Sequence, residues 1–225
     1  MAQAGIHALV GIAVRKLTPW REWLFLGIVL GSIFPDLDNY AVAIATLARL
    51  NKDGLHRTFT HSIFTILVSV ALFYLIARLR QQPRWSNLGL GFGIGLVLHI
   101  ALDLLIWFNG VELLWPFGGW INFWQGITPP DWFAKLLDPL EMLFLAMYFL
   151  WLAKAARAQN TDMDFLGTLR IWTIILFVLL VVYTPLAYIL KTGFLTIFGA
   201  GYLLAITAAF VITIRMRRTI EAQPG

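Results

Sequence analysis

Seven side chains of this sequence have the chemistry to ligate a metal or move a proton: His7, Asp36, Asp38, His56, His61, His99 and Asp103. The densest stretch is His56-Arg57-Thr58-Phe59-Thr60-His61-Ser62, which sets two histidines, an arginine and three hydroxyls beside long apolar runs. The chain holds four histidines, and none falls after His99. Imidazole is the commonest transition-metal ligand. A polar cluster bordering apolar spans must offset its desolvation with partners, a metal or a function. His99 and Asp103 are four residues apart, so a helix places them on one face, one turn from each other. Inside an apolar span they belong toward the bundle interior, away from lipid. Asp36 and Asp38 stand two apart beside Pro35, and an irregular backbone there lets both face one site.

With no cysteine in the chain, any metal is held by nitrogen and oxygen: zinc, or else manganese or iron. A single zinc needs three protein ligands and a water, whereas a pair of metals would use all seven residues. The catalytic candidates are Asp36, His56 and Arg57. The planar fork of Arg57 suits a phosphate oxygen, and Asp36 or Asp38, if not on metal, is placed to act as general base. Each has a simpler reading too. Thr60, Ser62, Asp36 or Asp38 can cap a helix, His99 can pair with Asp103 inside a span, and Arg57 can meet lipid headgroups.

The elements that carry these residues are membrane spans. Hydrophobic residues make up 60% of the chain and its mean hydropathy is +0.77, which places it among integral membrane proteins. The apolar runs cover residues 3–16, 23–34, 40–50, 62–77, 88–108, 139–153, 169–190 and 194–214, with a break expected at Pro35 and another near Pro185. The expectation is an all-α integral membrane protein, a bundle of about six to seven mostly transmembrane helices with one or two short or broken. Residues 1–120 form the metal-site region, and 121–225 add further spans of the same single domain. Gly89, Gly91, Gly93 and Gly95 let helices approach closely in lipid. The connection 109–136, with Trp115, Pro116, Phe117, Trp120, Phe123, Trp124 and Trp132, has the composition of a membrane-surface belt or, alternatively, of a lid. Asp138 and Glu141 stand at one end of the next run, as boundary acids or as further members of the site.

The net charge of +5 is no nucleic-acid footprint, because the basic residues gather in short loops between spans: Arg15, Lys16 and Arg21; Arg78, Arg80 and Arg84; Lys154, Arg157 and Arg170; Arg215, Arg217 and Arg218, while Arg49, Lys52 and Arg57 fall outside this pattern and read as site-associated. All four clusters fit one side, the cytoplasmic one, with the His56–His61 stretch on the opposite side. No nucleotide-binding glycine loop is present.

The order of His7, Phe34-Pro35-Asp36-Leu37-Asp38, the His56–Ser62 stretch, Leu98-His99-Ile100-Ala101-Leu102-Asp103-Leu104-Leu105, Gly110 and Leu113-Leu114-Trp115-Pro116-Phe117 resembles the YdjM-like family of bacterial inner-membrane metal-dependent hydrolases, described as LexA-regulated. The resemblance covers roughly the first 120 residues. It implies metal-dependent hydrolysis with these His and Asp residues as ligands, in a multi-pass protein of the inner (cytoplasmic) membrane. Thr58 stands where similar proteins usually carry glycine, and Ile106-Trp107 where a Thr-Pro pair is expected. Together the residues and the resemblance point to a membrane-bound hydrolase, phospholipase-like, acting on a phosphoester of a lipid or lipid-linked headgroup at the extracytoplasmic face. Membrane lipids are the expected partners, and no nucleic acid is. The alternative is an ion, proton or metal transporter using the same His/Asp cluster. That class usually shows repeats and midplane sites, whereas here the polar residues gather in the first half and at one boundary.

Overall fold

The computed structural model describes residues 3–190 and 192–222. Its helices are α1 (Ala4–Ala13), α2 (Leu24–Ile33), α3 (Asn39–Leu47), α4 (Ile63–Arg80), α5 (Pro83–Ile106), α6 (Asp131–Gln159), α7 (Leu166–Ile189), α8 (Phe194–Arg215) and α9 (Arg217–Glu221), with one short hairpin, β1 (Val111–Glu112) antiparallel to β2 (Trp120–Ile121). Among the described residues, six stretches are long and apolar enough to cross a membrane: Leu24–Leu47, Ile63–Arg80, Pro83–Ile106, Asp131–Gln159, Met163–Ile189 and Phe194–Arg215. The protein is thus an all-α membrane bundle. Two compact units divide the chain, residues 10–128 and residues 1–9 with 129–225.

In the unit of residues 10–128, α5 is the central helix, and its glycines face two neighbours in alternation. Gly91 and Gly95 lie against the backbone of α2 at Leu24, Ile28 and Gly31, where Gly27 and Gly31 in turn face Leu88, Gly91 and Phe92. Gly89 and Gly93 meet Phe73 and Val70 of α4. In lipid no hydrophobic force drives helices together, so backbone approach over small residues supplies the association. The pairings run Leu24 with Gly91 and Ser32 with Gly95, so α2 and α5 run parallel, and α4 returns between them in sequence. The C-terminal ends of α2 and α5 and the start of α4 therefore meet at one end of the unit.

Local signals explain the boundaries. Ser62 caps α4 by accepting the Thr65 backbone N–H at 3.2 Å, Pro83 opens α5, where its missing N–H costs nothing, and Gln81 closes α4 in the left-handed conformation. The break at Pro35 is real: the chain tightens into a 3₁₀ turn over Phe34–Asp38 before α3 begins.

In the other unit α6 starts at Asp131, well before the apolar run expected from Pro139, and Pro139 and Pro185 both lie inside helices. Neither proline ends its helix, since local adjustment within a membrane bundle re-satisfies the freed carbonyls. Glu141 is buried and accepts the Gly5 backbone N–H on both carboxylate oxygens, at 2.9 and 3.1 Å. It sets its carboxyl group at the first turn of α1, where it satisfies a backbone N–H that has no partner within the helix. Gln3 donates to the Leu137 carbonyl at 2.7 Å, and Tyr148 bonds Thr213 at 2.7 Å across α6 and α8.

Candidate metal centre

Six of the residues singled out in the sequence, together with Arg57, come together at the shared end of α2, α4 and α5. Asp36 and Asp38 sit in the 3₁₀ turn after α2, His56, Arg57 and His61 on the segment leading into α4, and His99 and Asp103 in the last two turns of α5. His7 belongs to the other unit, on α1, where it is buried.

His61 and His99 meet through their Nε2 atoms, 3.2 Å apart. Asp103 Oδ2 lies 3.3 Å from His61 Nε2 and 3.6 Å from His99 Nε2, and Asp36 Oδ1 lies 3.9 Å from His99 Nε2. Ligand atoms of Asp36, His61 and His99 all fall within 4.8 Å of one another. All four residues are at most 2% exposed, and Asp36 Oδ2 has no hydrogen-bond partner among the described residues.

The tautomers follow from the opposite ring atoms. His99 Nδ1 is 2.7 Å from the Ser32 carbonyl oxygen. A carbonyl only accepts, so Nδ1 carries the proton and a neutral ring turns an Nε2 lone pair inward. Ser32 is in the last turn of α2, whose carbonyls lack helical partners once the chain leaves the α-helix at Phe34. The break at Pro35 thereby supplies the acceptor that sets His99. Thr60 donates its hydroxyl proton to Asp38 Oδ2 at 2.9 Å, which leaves its oxygen to accept from His61 Nδ1, also at 2.9 Å. His61 Nε2 then also presents a lone pair. With both rings neutral, two nitrogen lone pairs and two carboxylates would converge there, an arrangement that calls for a cation. For His61 burial opposes the charged ring, but its hydrogen bonds to the Asp103 and Asp38 carboxylates outweigh it and raise the group to about 9. In the absence of metal the cation is a proton; a divalent ion fits the same donors.

Asp38 organises the group. Its Oδ1 is 2.7 Å from His56 Nδ1, while Oδ2 accepts from the Arg57 backbone N–H (3.1 Å) and from Thr60. Burial outweighs this carboxylate at His56 and pulls the imidazole below its ordinary value. The ring is neutral with its proton on Nδ1, and its Nε2 has no hydrogen-bond partner among the described residues. His56 is the group's partly open member, with 21% of its side chain exposed.

Nearly the whole of the sequence matches a family model described as YdjM inner membrane protein, over residues 1–216. The chain belongs to that family. The match runs well past the roughly 120 residues that carry the recognisable motifs, so the later spans are part of what YdjM proteins share. Among curated proteins and among solved structures nothing matches.

In this YdjM protein Arg57, a phosphate-clamp candidate from the sequence, has partners that sequence reading did not foresee. Its φ is +64°, and it is 3% exposed. Its guanidinium reaches the Gly110 carbonyl at 3.3 Å and Asp103 Oδ1 at 3.5 Å, while its backbone N–H holds Asp38. One residue thus orients two of the carboxylates. Arg57→Gly keeps the N–H and suits the left-handed backbone but deletes the guanidinium; it is expected to weaken zinc binding about tenfold, the lower end of the usual effect of removing a partner that orients a ligand. Arg57→Ala also deletes the guanidinium but keeps the left-handed strain of roughly 1–2 kcal/mol that the native arginine bears and glycine relieves, so it should bind no better than Arg57→Gly. Zinc titration of chelator-stripped protein reads both, and wild-type affinity in Arg57→Gly would remove Arg57 from this role.

Proposed function

We propose that this chain is a membrane-bound metal-dependent hydrolase whose substrate is a phosphoester, a lipid or lipid-linked headgroup, at the extracytoplasmic face. The observation that carries the proposal is the inward convergence of the His61 and His99 Nε2 atoms with the Asp36 and Asp103 carboxylates. Zinc suits this donor set: bonds of about 2.0–2.2 Å in a tetrahedron put ligand atoms about 3.3–3.6 Å apart, against observed separations of 3.2, 3.3, 3.6 and 3.9 Å. When bound, the ion supplies Lewis-acid polarisation of a phosphoryl oxygen and activation of water.

The chain's own residues divide the remaining work. Three of Asp36, His61, His99 and Asp103 would hold the ion and leave its remaining position to a water, and Asp38 and Arg57 orient them. His56, kept neutral with Nε2 free, takes the proton from water as the water oxygen bonds phosphorus. The ester P–O bond breaks, and His56 returns that proton to the departing alkoxide. The desolvated position of His56 keeps its basicity low, which suits a group that must give the proton back.

Orientation follows the charge. If each of the six candidate spans crosses once, the four basic clusters fall on one side and the 48–62 and 107–130 connections on the other. The positive-inside bias makes the basic side cytoplasmic. The chain has no cysteine, so single cysteines at Arg80 and Asn51 read the topology directly: in intact cells an impermeant maleimide is expected to label position 51 and spare position 80. The activity test incubates zinc-loaded protein with phospholipids and isoprenoid phosphates beside peptide and acyl-ester substrates, and expects chelator-sensitive release of phosphate or headgroup. Cleavage confined to peptide bonds or carboxylic esters, or metal-loaded protein that cleaves nothing, would overturn the proposal.

A further inference from the structure

Beside the metal group a line of aromatic rings joins the ligand-bearing segment to the apolar surface of α4. The Phe59 ring stands edge-on to Trp115 with centroids 5.2 Å apart, and Phe64 lies tilted against Phe117 at 5.5 Å. Three backbone acceptors pin the connection in place. Ile63 N–H donates to the Leu113 carbonyl at 3.0 Å, Glu112 N–H to the Arg57 carbonyl at 2.9 Å, and the Arg57 guanidinium to the Gly110 carbonyl at 3.3 Å. The residues from Gly110 to Phe117 are therefore fixed against the first turn of α4, on both sides of His61.

Although held in place, the ring line is not covered. Phe59, Ile63, Phe64 and Leu114 are exposed, and Phe117 is 80% exposed. Burying a phenylalanine side chain is worth about 1.5–3 kcal/mol, so a fixed row of exposed rings marks an apolar partner. The identity of that partner follows from continuity. Directly below, α4 presents Leu67, Val68, Leu72 and Leu75 outward, and it is the least buried of the six candidate spans. The apolar surface of the span does not stop at Ile63, where α4 begins, but continues up the rings to the level of the ligands.

We infer that this aromatic ridge is inserted in the lipid leaflet as the threshold of the metal group, so that the group meets membrane-resident amphiphiles, with tails along Phe64 and Phe117 and headgroups at His56. The assignment of those amphiphiles as substrates rests on the phosphoesterase reading; the insertion does not. A nitroxide attached at Phe117→Cys, in vesicles of phosphatidylethanolamine and phosphatidylglycerol, reports the insertion through relaxation by oxygen, which partitions into lipid, or by a water-soluble nickel chelate. The expected result is oxygen-dominated relaxation, matching a label at Leu67→Cys and opposite to one at Asn51→Cys. Nickel-dominated relaxation at position 117 would overturn the inference. Protection from both agents would overturn it as well, by showing that protein, such as a second copy of the chain, covers the ridge. Failure of the hydrolase reading looks different: no phosphoester is cleaved while the label at position 117 remains lipid-exposed.

Discussion

Alanine at position 61 is expected to strip the purified protein of metal. His61 contributes an Nε2 lone pair 3.2 Å from that of His99 and 3.3 Å from Asp103 Oδ2, and it is the ligand-bearing side chain that the loop brings to those of α2 and α5. Disturbing a partner that only orients a ligand typically costs about 10–100-fold in affinity, so losing a ligand should cost at least about a hundredfold. Asp103→Asn keeps the shape and loses the charge, and should fall between the two. The measurement is metal content by mass spectrometry of protein purified without chelator, with zinc titration of the stripped protein. Its pH dependence carries a sign. Below about 9 His61 holds a proton that a metal must displace, so wild-type affinity should fall as pH falls, by about tenfold per unit for one displaced proton. His61→Ala should lose that component of the slope. Equal metal content in wild type and both variants would show that these residues pair with one another and hold no metal.

Leucine at Gly95 should abolish metal binding just as thoroughly while touching no ligand. A Cβ at that position would collide with the Ile28 carbonyl and approach Ser32 N at 2.7 Å and Gly31 C at 2.8 Å, all of them backbone atoms that no rotamer change can move. Overpacking a tight interface costs about 1–3 kcal/mol where neighbours can shift, and more is expected where they cannot. The helices must separate, and the first casualty is the 2.7 Å contact between the Ser32 carbonyl and His99, with Asp36 carried away on the turn that follows α2. Gly199→Ala is the control: nothing stands within 4 Å of a Cβ there, and alanine favours the helix by about 1 kcal/mol. Loss of metal and lowered thermal stability in Gly95→Leu, with neither in Gly199→Ala, is the expected pair of results. A stable, metal-replete Gly95→Leu would mean that α2 and α5 do not depend on that seam.

What the sequence shows and what it conceals divide along physical lines. The His99–Asp103 spacing was readable because helical periodicity alone puts the two on one face, and both are found in the group. The spans were readable from composition, and the break at Pro35 from proline's missing donor. The glycine row announced close approach, but which neighbour each glycine meets depends on rotation about α5, which no local pattern encodes. The Ser32 carbonyl that sets the His99 tautomer was invisible because a backbone acceptor has no letter of its own. Arg57 was read by side-chain chemistry as a phosphate fork, and that chemistry could not reveal that the guanidinium lies beside Asp103 and the Gly110 carbonyl. Pro139 and Pro185 suggested a helix start and a helix break, and neither occurs where neighbouring spans support the backbone. The later spans contain little reactive chemistry, so motif reading stopped near residue 120, although the family match continues to 216.

The burial of Asp36, His61, His99 and Asp103, each at most 2% exposed, would separate how tightly an ion bound there is held from how quickly it comes and goes. No ligand atom can pass an ion to solvent or to a chelator unless the 51–62 segment first lifts away from the helix ends. Exchange is then governed by the frequency of that opening, and a chelator's strength has little bearing on its rate. Protein that acquires its ion while the segment is still settling onto α5 would keep that ion for the lifetime of the fold, whatever metals it meets afterwards.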